Sequence, residues 1–208
     1  MTLAKNATGK STKCTGLWVA TIVAVSASLG AACADKTTPP PGRITSPAET
    51  DTPPAMAQPT TAQAVLRSHA DYEVAGTVRF EQTGDQVAIT AGLSGLPPGQ
   101  HGFHIHETGD CSHPEFETAG DHFNPTGNDH GGPQGVAHAG DLGNITAGED
   151  GTVGYALDSA RITLREGPTS ALGRALVVHR DTDQLDVQPD GNAGPRIACG
   201  VIERVPQR

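Results

Sequence analysis

A chain of 208 residues with 26 Gly, 16 Pro, 3% aromatics and a formal charge of −9 has room for one hydrophobic core plus an extension, and is too short for two ordinary domains. Its acidic balance, with no lysine after Lys36, excludes sequence-independent nucleic-acid binding, which needs clustered Lys and Arg against phosphates. Abundant Gly and Pro without long runs at helical spacing favour a loop-rich β protein.

Residues 1–33 read as an export signal. Lys5, Lys10 and Lys13 form a basic flank. The greasiest part of the uncharged stretch behind it, Leu17 to Leu29, has the length of a signal-peptide core and is short for a membrane span. Gly30-Ala31-Ala32-Cys33 then resembles the lipobox of bacterial lipoproteins, whose cysteine is lipid-modified and becomes the mature N-terminus. That motif prefers leucine three residues before the cysteine, where this chain has Gly30, with Leu29 one place earlier. Lipidation of Cys33, simple cleavage to a soluble periplasmic protein and an uncleaved anchor helix all place the body outside the cytoplasm, in the periplasm or cell envelope. Membrane contact is then expected only through the N-terminal lipid or signal. Residues 34–61, rich in Pro, Thr, Ala and Ser, have almost nothing to bury and are expected to be a disordered tether; residues 62–208 form the folded domain.

Within that domain Tyr72 to Glu81 alternates as a strand. A turn at Thr83-Gly84-Asp85 leads to a second strand, Gln86 to Leu93, and Pro97-Pro98-Gly99 marks a break. Gly102 to His106 follows. From Glu107 to about Gly140 the pattern dissolves into Gly, Pro, Asp, Asn and His, over a length that ordinary connections do not reach. Strand-like segments resume at Gly151 to Leu157, Arg161 to Thr163, Ala175 to His179 and Ile197 to Ile202. The chain is therefore expected to be all-β, an antiparallel sandwich or barrel of about eight strands. Beyond Cys14 and Cys33 only Cys111 and Cys199 remain, a far-separated pair suited to one disulfide in an oxidising compartment, or else two buried thiols.

The placement of the nine histidines is the informative feature. His104 and His106 flank Ile105, so a strand sends both imidazoles to one face and Ile105 to the other; alone, such a pair is more often structural than metal-binding. His122, His130, His138 and Asp141 lie in the long loop, and three imidazoles with a carboxylate satisfy a tetrahedral zinc, although loop histidines are often only solvated. His179 ends an apolar strand and could complete a site with His104 and His106.

Several segments carry these residues in order: Gly102-Phe103-His104-Ile105-His106-Glu107, Ala119-Gly120-Asp121-His122-Phe123-Asn124-Pro125, His130-Gly131-Gly132-Pro133, His138-Ala139-Gly140-Asp141-Leu142-Gly143-Asn144, Leu176-Val177-Val178-His179 and Gly191-Asn192-Ala193-Gly194-Pro195-Arg196-Ile197-Ala198-Cys199-Gly200. Together they resemble the successive signatures of copper,zinc superoxide dismutases over about residues 65–203. The resemblance implies an eight-stranded Greek-key fold with a long metal-binding loop. It implies one copper held by His104, His106, His122 and His179, and one zinc held by His122, His130, His138 and Asp141. Asp183 would stand behind His104 and His130, His101 would support the copper strands, and Arg196 would dock a small anion at the channel mouth. Cys111 would pair with Cys199. The implied activity is disproportionation of superoxide, with His122 and Arg196 as the catalytic side chains and His122 as a proton store between the two cations.

The spacing of Cys111 from His106 resembles bacterial members more than animal ones. The segment from His179 to Arg196 is shorter than in animal enzymes and holds no lysine, so anion steering is expected to rest on Arg196 and the metals and to respond weakly to salt. The rival reading is a non-catalytic copper- and zinc-binding envelope protein of the same fold; such relatives usually lack a ligand or the channel arginine, and this sequence has them all. A homodimer stays open. His69 and His113 match nothing in the pattern and are expected at the surface, and the sequon Asn144-Ile145-Thr146 reads as coincidence.

Overall fold

The computed structural model describes residues 60–206. The export signal, Cys33 and residues 34–59 of the tether lie outside the described residues. The chain forms β1 (Thr60–Val65), β2 (Arg67–Ser68), β3 (Ala75–Thr83), β4 (Gln86–Ser94), β5 (Gly99–His106), β6 (Asp141–Ala147), β7 (Val153–Ser159), β8 (Ala175–His179), β9 (Arg196–Val201) and β10 (Glu203–Arg204). Eight of these have five or more residues, while β2 and β10 have two each. A three-residue 3-10 turn, Glu117–Ala119, is the only helical segment among the described residues.

The strands pair antiparallel in two sheets, ordered β10-β1-β3-β4-β7 and β2-β9-β8-β5-β6. The chain crosses to the second sheet after β4 and returns after β6, so that β7 pairs with β4. It then crosses again and β8 pairs with β5. These long returns beside an earlier strand are Greek-key connections, and the fold is the all-β sandwich expected from the sequence.

Period-two alternation fills the space between the sheets. Val78, Phe80 and Ile89 of the first sheet and Phe103, Ile105 and Leu176 of the second share one buried cluster, each such side chain contributing about 1.5–3 kcal/mol by leaving water. β5 from His101 onward and all of β8 are buried on both faces. The outer face is covered by the segment after β5, where Cys111, Phe116 and Ala119 pack on Ala175, Val177 and Cys199. The Cys111–Cys199 disulfide, spanning 88 residues, fastens that segment to β9.

Three expectations are corrected. β1 begins at Thr60, two residues before the expected start of the domain; its inward residues are Ala62 and Ala64, too small to give a strand signal. Asp141–Ala147 forms a strand that the sequence did not suggest, because Leu142 and Gly143 together oppose Phe103 where the register shifts, which breaks the alternation. Arg161 to Thr163 is not a strand: Ile162 and Leu164 plug the sandwich, Thr163 makes only an isolated bridge, and the Gln82 side-chain oxygen accepts from the Leu164 backbone at 2.6 Å and the Thr163 hydroxyl at 2.9 Å.

Closing a loop of 88 residues removes entropy from the unfolded chain worth about 4.6 kcal/mol. The double variant Cys111→Ser, Cys199→Ser is expected to lose stability of that order in denaturant unfolding.

Candidate metal centre

Strand register brings the histidines together. His104 lies opposite Val177 of β8 and Asp141 of β6. His106 makes an isolated bridge with His122. His179, at the end of β8, lies opposite Arg196, and the register shifts there by one residue of β9. Both irregularities fall beside the converging side chains, where bulges commonly re-aim residues. Phe103 and Ile105 enter the core, and His104 and His106 face the covering loop.

Two groups of buried side chains result: His104, His106, His122 and His179, and His122, His130, His138 and Asp141, each offering ligand atoms within 4.8 Å of one another. His122 belongs to both. In the first group, His106 Nδ1 lies 2.8 Å from Gly120 O, His179 Nδ1 3.0 Å from Gly194 O, and His104 Nε2 2.9 Å from Asp183 Oδ2. Carbonyls and carboxylates only accept, so these nitrogens carry the ring protons and donate. The opposite nitrogens are left with bare lone pairs. His106 Nε2 and His179 Nε2 face each other at 3.3 Å, and His104 Nδ1 is buried without any partner. Converging, unpaired imidazole lone pairs are costly unless a cation sits among them.

Burial itself holds these rings unprotonated. It lowers His104 to about 4 against the opposing pull of Asp183, and it lowers His106 and His179 well below their ordinary value, with neighbouring imidazoles adding to the effect.

The second group centres on Asp141. His122 Nδ1 and His138 Nδ1 lie 2.9 and 3.2 Å from Asp141 Oδ1, while Asp141 Oδ2 accepts from the backbone of Gly131 and His138 at 3.0 and 3.1 Å. Burial pushes the Asp141 carboxyl up, but hydrogen bonds from His122 and Gly131 and the close approach of His130 outweigh it and hold the group well below the usual carboxylate range. His130 Nδ1 approaches Asp141 Oδ2 to 3.1 Å without an aligned hydrogen bond. Two electron-rich atoms at that separation call for a cation. Burial lowers His130, yet Asp141 and Asp183 raise it to about 9, so without a metal ion a proton takes that role. Three imidazoles and a carboxylate, and four imidazoles, are donor sets suited to zinc and copper respectively.

Asp183 joins the groups from behind, with Oδ2 on His104 and Oδ1 2.8 Å from His130 Nε2. Burial raises its carboxyl, while hydrogen bonds from the two rings bring it down to about 2. Asn144 fixes it by donating to Asp183 O at 2.9 Å and accepting from Asp183 N at 2.8 Å. The same bonds occupy the sequon amide. Gly191 has φ +69, and any side chain there would collide with Asp183 Oδ1. Gln188 reaches the other loop: it accepts from His130 N at 2.8 Å and donates to His130 O at 2.9 Å.

Arg196 donates to Phe116 O and Gly120 O, both at 2.6 Å, so Gly120 O accepts from His106 and Arg196 together. The guanidinium stands at a cavity of about 450 Å3 that also receives His106, His122 and His179. Glu107, Asp121 and Asp190 line the same cavity, and Arg196 is its one cationic side chain apart from histidine. Burial lowers the Arg196 pKa, opposed by Asp121, Glu117 and Asp190.

The structure thus brings together the seven ligand candidates, Asp183 and Arg196. His101 lies between His179 O at 3.0 Å and Pro97 O at 2.8 Å, against the end of β8. His69 and His113 are partly exposed, and neither joins a group. Sequence reasoning missed Asn144, Gln188, Glu107, Asp121 and Asp190. The first two act on backbone groups and leave no pattern in the chain, and the carboxylates lie in irregular segments where no spacing marks them.

A family model described as copper/zinc superoxide dismutase matches residues 74–202. Among solved structures, a crystal structure of the clock protein EA4 is similar, with 39% identity and a TM-score of 0.65, covering 73% of this chain and 98% of that one. The matched span runs from the residue before β3 to the residue after β9 and contains both groups of candidate ligands and both disulfide cysteines. The chain belongs to the copper/zinc superoxide dismutase family.

Proposed function

We propose that the protein is an exported superoxide dismutase, with copper at His104, His106, His122 and His179 and zinc at His122, His130, His138 and Asp141. The observation that carries this reading is His122, whose ring serves two groups of buried ligand atoms, with buried ring nitrogens that have no hydrogen-bond partner on both sides, at His104 and His130. Copper held there would supply a one-electron redox couple, by which one superoxide would be oxidised to dioxygen and a second, with two protons, reduced to hydrogen peroxide.

The chain supplies docking, orientation and protons. Arg196, permanently charged and held by two carbonyls, binds the anion beside His106 and His179. Asp183 and the carbonyls of Gly120 and Gly194 keep the other imidazoles in the tautomer that offers a lone pair. His122 Nε2 holds a proton and returns it to the reduced substrate, while Asp141 keeps Nδ1 in place. A zinc ion held by His122, His130, His138 and Asp141 would fix the orientation of this ring. Export, with a lipid on Cys33, agrees with the basic flank and Gly30-Ala31-Ala32-Cys33, and the Cys111–Cys199 disulfide suits an oxidising compartment.

The second reading is a non-catalytic metal-binding protein of the same fold, favoured by the similarity to a structure described as a clock protein. A single assay separates the two: the copper- and zinc-loaded protein should disproportionate superoxide and lose that activity to cyanide. Metal binding without turnover would establish the second reading. His122→Ala should remove activity while circular dichroism keeps the β signature.

Proton competition distinguishes the two groups. His130 is protonated below about 9, and zinc must displace that proton. Zinc affinity should therefore rise about tenfold per pH unit from pH 7 toward 9 and then level, read by chelator competition. Copper affinity should vary much less over the same range, because His104, His106 and His179 are already unprotonated.

The carboxylates around Arg196 oppose an incoming anion. Turnover should change little with added salt, and Asp190→Asn should raise the bimolecular rate about twofold at low ionic strength, an advantage that salt screens away. A steep fall of the wild-type rate with salt would contradict this account of steering.

A further inference from the structure

Arg161 lies in the connection between β7 and β8, outside the β5–β6 connection that carries His122, His130 and His138. Its Nη2 donates to Asp141 O at 2.7 Å, and Nη1 approaches Gly132 O and Gly135 O at 3.5 and 3.4 Å. All three carbonyls belong to the segment 130–141, which carries His130, His138 and Asp141. That segment contains no strand before Asp141, and Val136 at its tip is 84% exposed, so little of its own packing holds it down. The guanidinium is half-buried. Burial lowers its pKa while the Asp141 charge raises it, which places the two groups within electrostatic reach of each other.

We propose that Arg161 is a positioning residue of the zinc group, clamping the backbone of the segment that carries three of its four ligands, so that those ligands stand assembled before the metal arrives. The proposal rests on the reading of His122, His130, His138 and Asp141 as the zinc site. A planar fork of fixed charge suits the task, because it reaches several carbonyls at once and cannot be neutralised. Assembling ligands in advance removes from metal binding the entropy of ordering the loop. The copper side has no comparable need. His104, His106 and His179 sit on β5 and β8, and Arg161 makes no hydrogen bond to them.

The test compares wild type, Arg161→Gln and Arg161→Lys with the disulfide intact. Zinc and copper dissociation constants are read by chelator competition, and cobalt(II) in the zinc group is read by its visible absorption. Arg161→Gln should weaken zinc about 10–100-fold. Arg161→Lys, which keeps the charge with fewer directed donors, should weaken it less, and both should alter the cobalt bands while copper affinity follows wild type. Zinc binding as tight as wild type with unchanged cobalt bands would overturn the proposal. An equal loss at zinc and copper would also overturn it, since that is the signature of general loosening. If Arg161→Gln does not fold, Arg161→Lys decides by the same criteria. A wild-type protein that binds no zinc through His130 and Asp141 would instead overturn the underlying reading, and the clamp with it.

Discussion

Asp183 places one carboxylate oxygen on His104 and the other on His130, and all three side chains are fully buried. A carboxylate accepts and cannot donate, so both rings must turn their protons toward it and their lone pairs away. One strand residue and one loop residue are thereby oriented by the same group. The metal groups are joined twice, in front by the His122 ring and behind by Asp183. Asn144 fixes the position of Asp183 through its backbone, and Gly191 leaves room for the carboxylate where a side chain would collide. Strands, loops and ligand candidates are therefore set with respect to one another through a side chain that belongs to neither group.

The legible part of the sequence was the part with period or motif. β3 and β4 alternate large apolar residues and were read to within a few positions, and β8, apolar throughout, was read to the residue. The ligand histidines were legible because they recur in order within recognisable segments. What escaped depends on partners that leave no trace along the chain. β1 buries alanines, and β6 loses its alternation at a bulge. Arg161 fell inside a segment that looked like a strand, since Ile162 and Leu164 are buried; their burial comes from plugging the end of the sandwich, and the arginine between two elements is free to reach backbone carbonyls. Asn144 and Gln188 likewise bond backbone groups far away in sequence, which no local spacing encodes.

The covering loop is held by several unlike fastenings. The disulfide ties it to β9, and Arg67 donates to Cys111 O at 2.8 Å while its backbone pairs with Cys199. Arg174 stacks on the Phe123 ring at 3.5 Å and donates to Glu107 O at 2.6 Å. Phe123 follows His122 directly, so a cation–π contact of about 1 kcal/mol braces the residue shared by the two groups. None of these side chains is a ligand candidate, yet each limits how far the loop can depart from the strands.

Gly120 illustrates how little slack this leaves. Its carbonyl accepts from His106 and from Arg196, its φ is +75, and a side chain there would run into the Glu107 carboxylate. On the proposed reading, one oxygen atom thus serves ligand alignment and anion capture at once. Because the acceptor is a backbone atom that any residue would keep, its position is what counts, and a shift of this peptide unit would disturb both roles together.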